Sequence, residues 1–599
     1  MGLKRMKERW IELAKKEDFD AMAKSLGVTP LTARLMVNRD IRTVEEGKKY
    51  LYGTMDDLSS PYAMKDMEKA IALLLEAKKA GGKVAIVSDF DDDGIFAGEI
   101  LFEGLTACGI RARLYTPNRT HEGYGMNARI VDEAHRDGCS LILTCDNGIA
   151  AFDAAQHAKA LGLKLIVTDH HEVQYEETES GKKLLLPEAD AILDPKQPDC
   201  AYPCKLLCGA GVAFRLIQAL YAHLQIPKEK EEELYEYLAI ATIADVMELK
   251  DENRIFVREG LKKLQETKKT GLQELIRACG LEEGRIDVYT VGFVIGPCFN
   301  AVGRLADVEL AFRLLQTEDR TEAAGIAEKI RNLNLTRQEL TEKGLKEAEA
   351  LMASGAYDED QVLLLRVHDV PESVVGIVAG KIKEHYYRPT FVFTDAEDGL
   401  KGSGRSVEAY HMMEALQKEK DLLQRFGGHK MAAGLTVLEK DLEELRKRLN
   451  AHAGLTEKDL TPVVYIDARL PLSQVSEALI AETEALQPFG TGNRRPLYAR
   501  PHFKVYSLRL IGKNRNVLRM SLSDGSGVTL DAVMFEHVEE VLSLIREEYG
   551  EEALRRAEAG AANAIDLAFT YTPGINEYRG VRKLQITCHS ACRIHEKSL

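Results

Sequence analysis

Between residues 67 and 226 two hydrophobic periodicities alternate. Helical spacing over 68–80 stops at Gly81-Gly82, and a strand-like stretch follows at 83–87, apolar from Val84 on. Further strand-like stretches stand at 113–116, 141–145, 165–168 and 191–193, the last three largely apolar, with helix-like stretches in the connections. Runs this short, apolar on both faces and closed by turn signals, predict buried strands. Strands alternating with helices predict a parallel sheet with right-handed crossovers. A helix is expected over 231–249, and mostly helical structure over 250–315. A long charged stretch with few breakers, 319–353, predicts a helix acting as a rigid connector. A second α/β unit follows, with strands at 362–365 and 389–393 flanking a helix at 374–386. From residue 461 the pattern becomes strands at 463–466, 503–510, 517–522, 528–535, 564–572 and 583–587 with one charged helix, which suits a small barrel of the OB type. The first 65 residues read as short helices and turns, forming a helical cap. The expected divisions are 1–65, 66–318, 319–353, 354–455 and 456–599.

Composition narrows the function without naming it. At 599 residues the chain has room for roughly three to five domains. The formal charge of −15 gives no bulk attraction to nucleic acid, although clustered cations would still supply one. The N-terminus lacks a signal-peptide core, and no run of about 18 apolar residues suggests a membrane span. Ten cysteines in a chain this long point to a reducing cytoplasm rather than a disulfide scaffold. Cys200, Cys204 and Cys208 lack the tight paired spacing of structural zinc sites, so packed cysteines are expected.

The chemistry lies where the strands stop. The run at 165–168 ends on Asp169-His170-His171, that at 83–87 on Ser88-Asp89-Phe90-Asp91-Asp92-Asp93-Gly94, and that at 141–145 on Asp146-Asn147-Gly148. Open α/β sheets bind ligands outside these C-terminal edges. If the edges adjoin, Asp89, Asp91, Asp93 and Asp146 converge with both imidazoles. Asp91 and Asp93, two residues apart, point the same way in extended backbone. So many carboxylates would repel one another and resist ionisation; divalent cations resolve this. Carboxylate and imidazole without thiolate suits Mn²⁺, with Mg²⁺ and Zn²⁺ open as alternatives. Asp245, after the apolar run 239–244, is a buried or cleft-facing acid that needs a partner. Arg304, after two glycines, is expected in an exposed loop. Two glycine-rich stretches carrying cations, 401–406 and 426–430, offer backbone N–H groups to a phosphate. Aromatic and cationic residues interleave at 502–506 and 578–583, as in single-strand binders.

These motifs, together with Pro117-Asn118-Arg119, Asn300-Ala301-Val302-Gly303-Arg304, Gly427-Gly428-His429 and Pro488-Phe489-Gly490-Thr491-Gly492-Asn493, resemble the RecJ family, the single-strand-specific exonucleases of the DHH phosphoesterase superfamily. The resemblance runs along nearly the whole chain. It implies a parallel-sheet DHH domain, a long connector helix, a second α/β DHH-associated domain and a C-terminal OB-type β-barrel. It makes Asp91, Asp93, Asp146, His170 and Asp245 metal ligands, and Asp89 and His171 ligands or their supports. It assigns Arg119, Arg304, Ser403 and Arg405 to a terminal-phosphate pocket, with Asn300 and Gly428 as further substrate contacts, and sets His429 against the scissile phosphate. Cys298 stands where family members often carry an arginine, and Val87 where some DHH relatives carry a histidine.

The implied activity is two-metal hydrolysis of single-stranded DNA from its 5′ end to 5′-mononucleotides, in DNA repair and recombination. Two Mn²⁺ or Mg²⁺ ions would share Asp93 or Asp146. The enzyme would be a cytoplasmic monomer, with a single-strand-binding protein or a helicase as partner and no membrane. Two competing readings are a DHH phosphodiesterase for short oligonucleotides or cyclic dinucleotides, and a non-catalytic single-strand-binding replication protein. The third domain argues against the first, and the intact set of acids against the second.

Overall fold

The apolar runs become strands, and their order decides where the polar ends meet. A computed structural model describes residues 8–118, 122–178, 181–578 and 580–593. The strands are β1 (Arg9–Glu12), β2 (Lys83–Ser88), β3 (Arg111–Tyr115), β4 (Cys139–Cys145), β5 (Lys164–Thr168), β6 (Gln174–Thr178), β7 (Gly181–Leu185) and β8 (Ala191–Leu193). After these come β9 (Leu363–Arg366), β10 (Thr390–Ala396), β11 (Gly399–Arg405), β12 (Leu423–Gly428), β13 (Ala432–Val437), β14 (Val463–Ile466), β15 (Tyr498–Ile511), β16 (Val517–Ser523), β17 (Thr529–Met534), β18 (Asp566–Tyr578) and β19 (Val581–Cys592). The chain divides into two compact units, residues 52–342 with 488–494, and residues 1–51 with 343–487 and 495–599.

In the first unit β2, β3, β4, β5 and β8 form the expected parallel sheet, in the order β3-β2-β4-β5-β8. The chain leaves β2 toward β3, then returns to the other side of β2 for β4. The crevice of such a sheet opens at that reversal, beyond the strand ends. Helix Asp92–Ala107 follows β2 and lies against helices Gly209–Leu224 and Tyr235–Ala244, whose apolar residues share one core with the sheet. β6 and β7 form a separate hairpin directly after the two histidines.

In the second unit β9 to β13 form a mixed sheet ordered β12-β13-β11-β10-β9, and β15 to β19 close a five-stranded barrel. Helix Arg320–Ala353, of 34 residues, begins in one unit and ends in the other. At 1.5 Å per residue it is about 51 Å long.

Three expectations change. The N-terminal segment is not helical throughout: β1 pairs in parallel with β14. The pairing leaves β14 outside the barrel, which closes with five strands, within the five or six expected. The first 65 residues also divide between the units at residue 52. Finally, Val288–Leu305 reaches the length and mean hydropathy, 1.2, of a membrane-spanning helix. It is 44% buried and packs on the β2–helix turn through Asn300 and Gly303. Its buried side, with Val291, Ile295, Cys298, Phe299 and Val302, belongs to the first unit's core.

Candidate metal centre

The turn after β2 is built around a missing side chain. Asp91 caps helix Asp92–Ala107, its carboxylate accepting from Gly94 N at 3.1 Å. A Cβ on Gly94 would lie 2.6 Å from the Asp89 carbonyl oxygen, so only glycine lets the chain turn this tightly. The helix starts at Asp92, one residue earlier than two extended carboxylates pointing together would allow. Asp91 and Asp93 therefore occupy different positions, one at the cap and one in the first turn. Asp93 accepts from Gly209 N at 2.5 Å and Ala210 N at 2.8 Å, at the start of helix Gly209–Leu224. A helix N-terminus stabilises such a carboxylate.

Asp146 follows β4 with φ +60°, in left-handed backbone that Asp and Asn tolerate better than other residues. A Cβ on Gly209 would come within 2.5 Å of Asp146 Cβ. Asn147 ties the same turn to the sheet, donating to Val87 O at 3.0 Å and Cys145 O at 2.9 Å and accepting from Met126 N.

After β5 the two histidines separate in role. His170 Nε2 lies 3.1 Å from Asp146 Oδ1, 3.7 Å from Asp93 Oδ2 and 3.8 Å from Asp245 Oδ2. Burial holds its pKa below the usual imidazole value, which leaves a neutral ring, the form that binds metals. His171 is also pulled down by burial, but the Asp169 carboxylate, 2.7 Å from Nδ1, outweighs this and raises it. Asp169 is fixed in turn by the N–H groups of Ile149, His170 and His171. Tyr124 O–H donates to the Asp146 carbonyl and sits 3.2 Å from His171 Nδ1.

Among the described residues three groups offer ligand atoms lying within 4.8 Å of one another: Asp89, Asp91 and Asp146; Asp93, His170 and Asp245; Asp146, His170 and His171. Burial pushes Asp146 and Asp245 well above the ordinary carboxylate range, and the Asp93 and Asp91 charges push the same way. Asp245 Oδ2 is buried without a hydrogen-bond partner. Excess buried acid, an unsatisfied carboxylate oxygen and a neutral imidazole fit a divalent cation. No cysteine belongs to these groups; all ten are free thiols, with Cys200, Cys204 and Cys208 buried.

The segment carrying Asn300 and Arg304 corrects the sequence reading. Arg304 is half-buried near the end of helix Gly296–Leu305, not exposed in a loop. Asn300 Nδ2 donates to Asp92 Oδ2 at 2.6 Å, and a Cβ on Gly303 would collide with the Phe90 carbonyl. The glycine therefore serves close packing, not a turn. Burial and then Asp91 raise Asp92 well above its usual value, while Arg304 opposes them. Cys298, at the position where an arginine is common, is buried with its Sγ 3.8 Å from Cys279 Sγ. The motif 488–493 folds back on itself, Gly490 and Asn493 exchanging backbone hydrogen bonds, and docks by Leu249 N donating to Thr491 O at 2.7 Å.

In the second unit the glycine-rich stretches run largely through strands rather than through loops. Gly402 and Gly404 lie in β11, where Cβ atoms would meet the Phe393 and Phe391 rings at 2.5 Å. Their purpose is packing. The open surface lies one strand over. Gly427 (β12), Gly434 (β13) and Ser403 (β11) share one rung of the sheet, and Cβ atoms on Gly427 and Gly434 would meet nothing within 4 Å. Arg405 Nη1 donates to Ser403 Oγ at 3.1 Å, on the same face as that bare shelf. Gly428 has φ +144° and His429, exposed, closes the β12–β13 turn through its N–H to Ala432 O. Arg119 lies outside the described residues.

Sequence reasoning thus named the acids and histidines of the cluster but gave no role to Asp92, Asp169, Tyr124 or Gly434. Asp92 and Asp169 stood inside quoted motifs, and Tyr124 between two glycines was a legible signal. Gly434, in Ala432-Ala433-Gly434, had none.

A parallel sheet with acids and histidines gathered at its reversal point, followed by a mixed α/β sheet and an OB barrel, defines a DHH-type phosphoesterase. The chain matches the DHH family, N-terminal domain, over residues 83–242, the DHHA1 domain over 359–454 and the RecJ OB domain over 466–590. Within that class the chain belongs to the RecJ family. It is 37% identical over 534 residues to the single-stranded-DNA-specific exonuclease RecJ of Bacillus subtilis, covering 88% of this chain and 66% of that protein, just under two thirds of its length. It is 32% identical over 602 residues to RecJ of Salmonella typhimurium, covering 96% and 98% of the two chains. RecJ from Thermus thermophilus, solved in complex with Mn²⁺, superposes with a TM-score of 0.80 at 27% identity, over 98% of this chain and 79% of that one.

Proposed function

We propose that this protein shortens single-stranded DNA from the 5′ end by divalent-cation-dependent hydrolysis, releasing 5′-mononucleotides during repair and recombination. The observation that carries this reading is the gathering of Asp89, Asp91, Asp93, Asp146, His170 and Asp245 into overlapping ligand groups at one sheet edge. Two ions fit better than one, because Asp146 and His170 are each shared between groups. Mn²⁺ and Mg²⁺ suit the oxygen-rich donor set, and the relatives solved from Thermus thermophilus carry these ions. When bound, such ions neutralise phosphate charge and lower the pKa of coordinated water.

The chain's own residues do the rest. The N–H groups of Gly209 and Ala210 aim Asp93 and oppose the rise that burial gives its pKa. Asp169 keeps His171 oriented and inclined to carry a proton. That proton can bond a phosphoryl oxygen and pass to the leaving group, while His170 stays neutral as a ligand. Two neighbouring imidazoles driven in opposite directions are how one site separates an acid from a ligand. Ser403 and Arg405, beside a shelf without side chains, suit close approach of a phosphate, with His429 at the adjoining turn; Arg304 and Arg119 are proposed separately as phosphate contacts. The barrel adds a surface on which bases stack and phosphates pair. The chain would act as a monomer in the cytoplasm, alongside a single-strand-binding protein or helicase.

The test is digestion of end-labelled single strands, with and without a 5′ phosphate, in Mn²⁺ and in chelator. Mononucleotide release from the 5′ end, dependent on the cation, is expected. Faster cleavage of a dinucleotide than of the long strand, or release from the 3′ end, would overturn the reading.

A further inference from the structure

Two of the most exposed large aromatic side chains in the protein lie beside the metal centre and on each other. Tyr289 is 66% and Phe293 67% exposed. Their rings stack with centroids 4.7 Å apart and planes 23° from parallel. Tyr289 belongs to the turn Val288–Thr290, and Phe293 to a π-helical turn, Val291–Ile295, that leads into the helix bearing Asn300. Such wide turns inside helices occur frequently at functional sites. This one rotates Phe293 outward while its neighbours Val291 and Ile295 stay buried.

Its position is fixed by close packing. A Cβ on Gly292 would lie 3.5 Å from Ile243, and one on Gly296 would lie 3.2 Å from Ala244 Cβ and 3.0 Å from Asp92 Oδ2. The segment thus rests on the end of helix Tyr235–Ala244, where Asp245 enters the metal centre. Phe293 and Tyr289 stand three and seven residues before Gly296, the residue that touches Asp92, so the stack lies near the cluster.

We propose that the Tyr289–Phe293 stack is a platform for a nucleobase of the strand being cleaved. The proposal rests on the nuclease reading and adds what grips the bases. Two stacked rings held at one angle leave a flat outer π-face open, and bases are the flat, apolar groups of a nucleic acid. Stacking of this kind is indifferent to sequence. It also requires an unpaired base, because the faces of a base inside a duplex are already covered by its neighbours. The surrounding cluster is acidic and attracts phosphate only through cations, so this stack supplies the grip that charge does not.

The experiment uses the full-length protein and its Tyr289→Leu and Phe293→Leu variants, which keep apolar bulk but lose the ring, with Phe293→Trp as the restoring change. Binding is read in EDTA by quenching of 2-aminopurine placed near the 5′ end of a single strand. Cleavage in Mn²⁺ is read on a normal strand and on one whose 5′-terminal nucleotides are abasic. We expect quenching with the parent protein and with Phe293→Trp, and its loss in the leucine variants. KM for the normal strand should rise about tenfold with kcat nearly unchanged, and KM for the abasic strand should not move. Equal losses on both strands, or no change on either, would overturn the platform. A parent protein that cleaves neither strand overturns the nuclease reading, while the quenching still scores the platform.

Discussion

Asp146→Asn should make the metal-free protein more stable while abolishing its response to cations. Asp146 shares ligand groups with Asp89 and Asp91, atoms no more than 4.8 Å apart. At an effective dielectric of about 20, two unit charges at that separation repel by about 3.5 kcal/mol. Burial and the acids Asp93, Asp91, Asp89 and Asp245 already push Asp146 well above its ordinary pKa, so protonation relieves part of the cost. A net gain of about 1–3 kcal/mol remains for the substitution. Asparagine keeps the shape, tolerates the left-handed backbone at φ +60° and can still accept from His170, whereas alanine would add backbone strain of about 1–2 kcal/mol.

The pH dependence has a definite sign. A carboxyl whose folded pKa is raised makes the folded state hold a proton that the unfolded state releases, so stability falls as pH rises above the ordinary carboxylate value. The advantage of the asparagine variant in EDTA should therefore widen from pH 5 to pH 8. In saturating Mn²⁺ the order should reverse: the parent gains about 4.1 kcal/mol at a thousandfold excess over Kd, and the variant gains little. Thermal midpoints in EDTA and Mn²⁺, with cleavage of a labelled strand, measure all three effects. A variant less stable than the parent in EDTA at pH 8, or one still stabilised by Mn²⁺ and still cleaving, would refute the shared-ligand reasoning.

Gly303→Ala should destabilise by about 1–3 kcal/mol and weaken Mn²⁺ binding, because its methyl group would collide with the Phe90 carbonyl beside Asp91; denaturant midpoints and metal titration check both. Tyr124→Phe removes a donor to the Asp146 carbonyl that also neighbours His171. At about 0.5–1.5 kcal/mol per net hydrogen bond, kcat should drop up to about tenfold with KM steady, and an unchanged kcat would count against it. Burial raises Glu99 from 4.5 to about 8, with Glu103 adding to the rise and the Gln316 amide and Lys269 opposing it. Below the unfolded pKa both states hold the proton. Between about pH 4.5 and 8 the unfolded chain alone releases it, so stability declines with pH, by at most about 1.4 kcal/mol per unit. Glu99→Gln should flatten the thermal midpoint over that window.

By itself the sequence determined the parallel sheet and the polar groups at its rim. Strands buried on both faces must be continuously apolar, so Leu165 to Thr168 could only end where Asp169, His170 and His171 began. The same local rule exposed Asp91, Asp93 and Asp146. The barrel's existence and the connector helix were legible for the same reason: each follows from a period read within one segment. Tertiary structure decided what periodicity cannot carry. Asn300 reaches Asp92 across 208 residues, and Gly209 receives Asp93 across 116. The bare rung of Gly427, Gly434 and Ser403 exists only once three strands align. β14 lies outside the barrel, paired with β1 from more than 450 residues earlier. A side chain's environment depends on which distant backbone approaches it, and no spacing within one stretch records that.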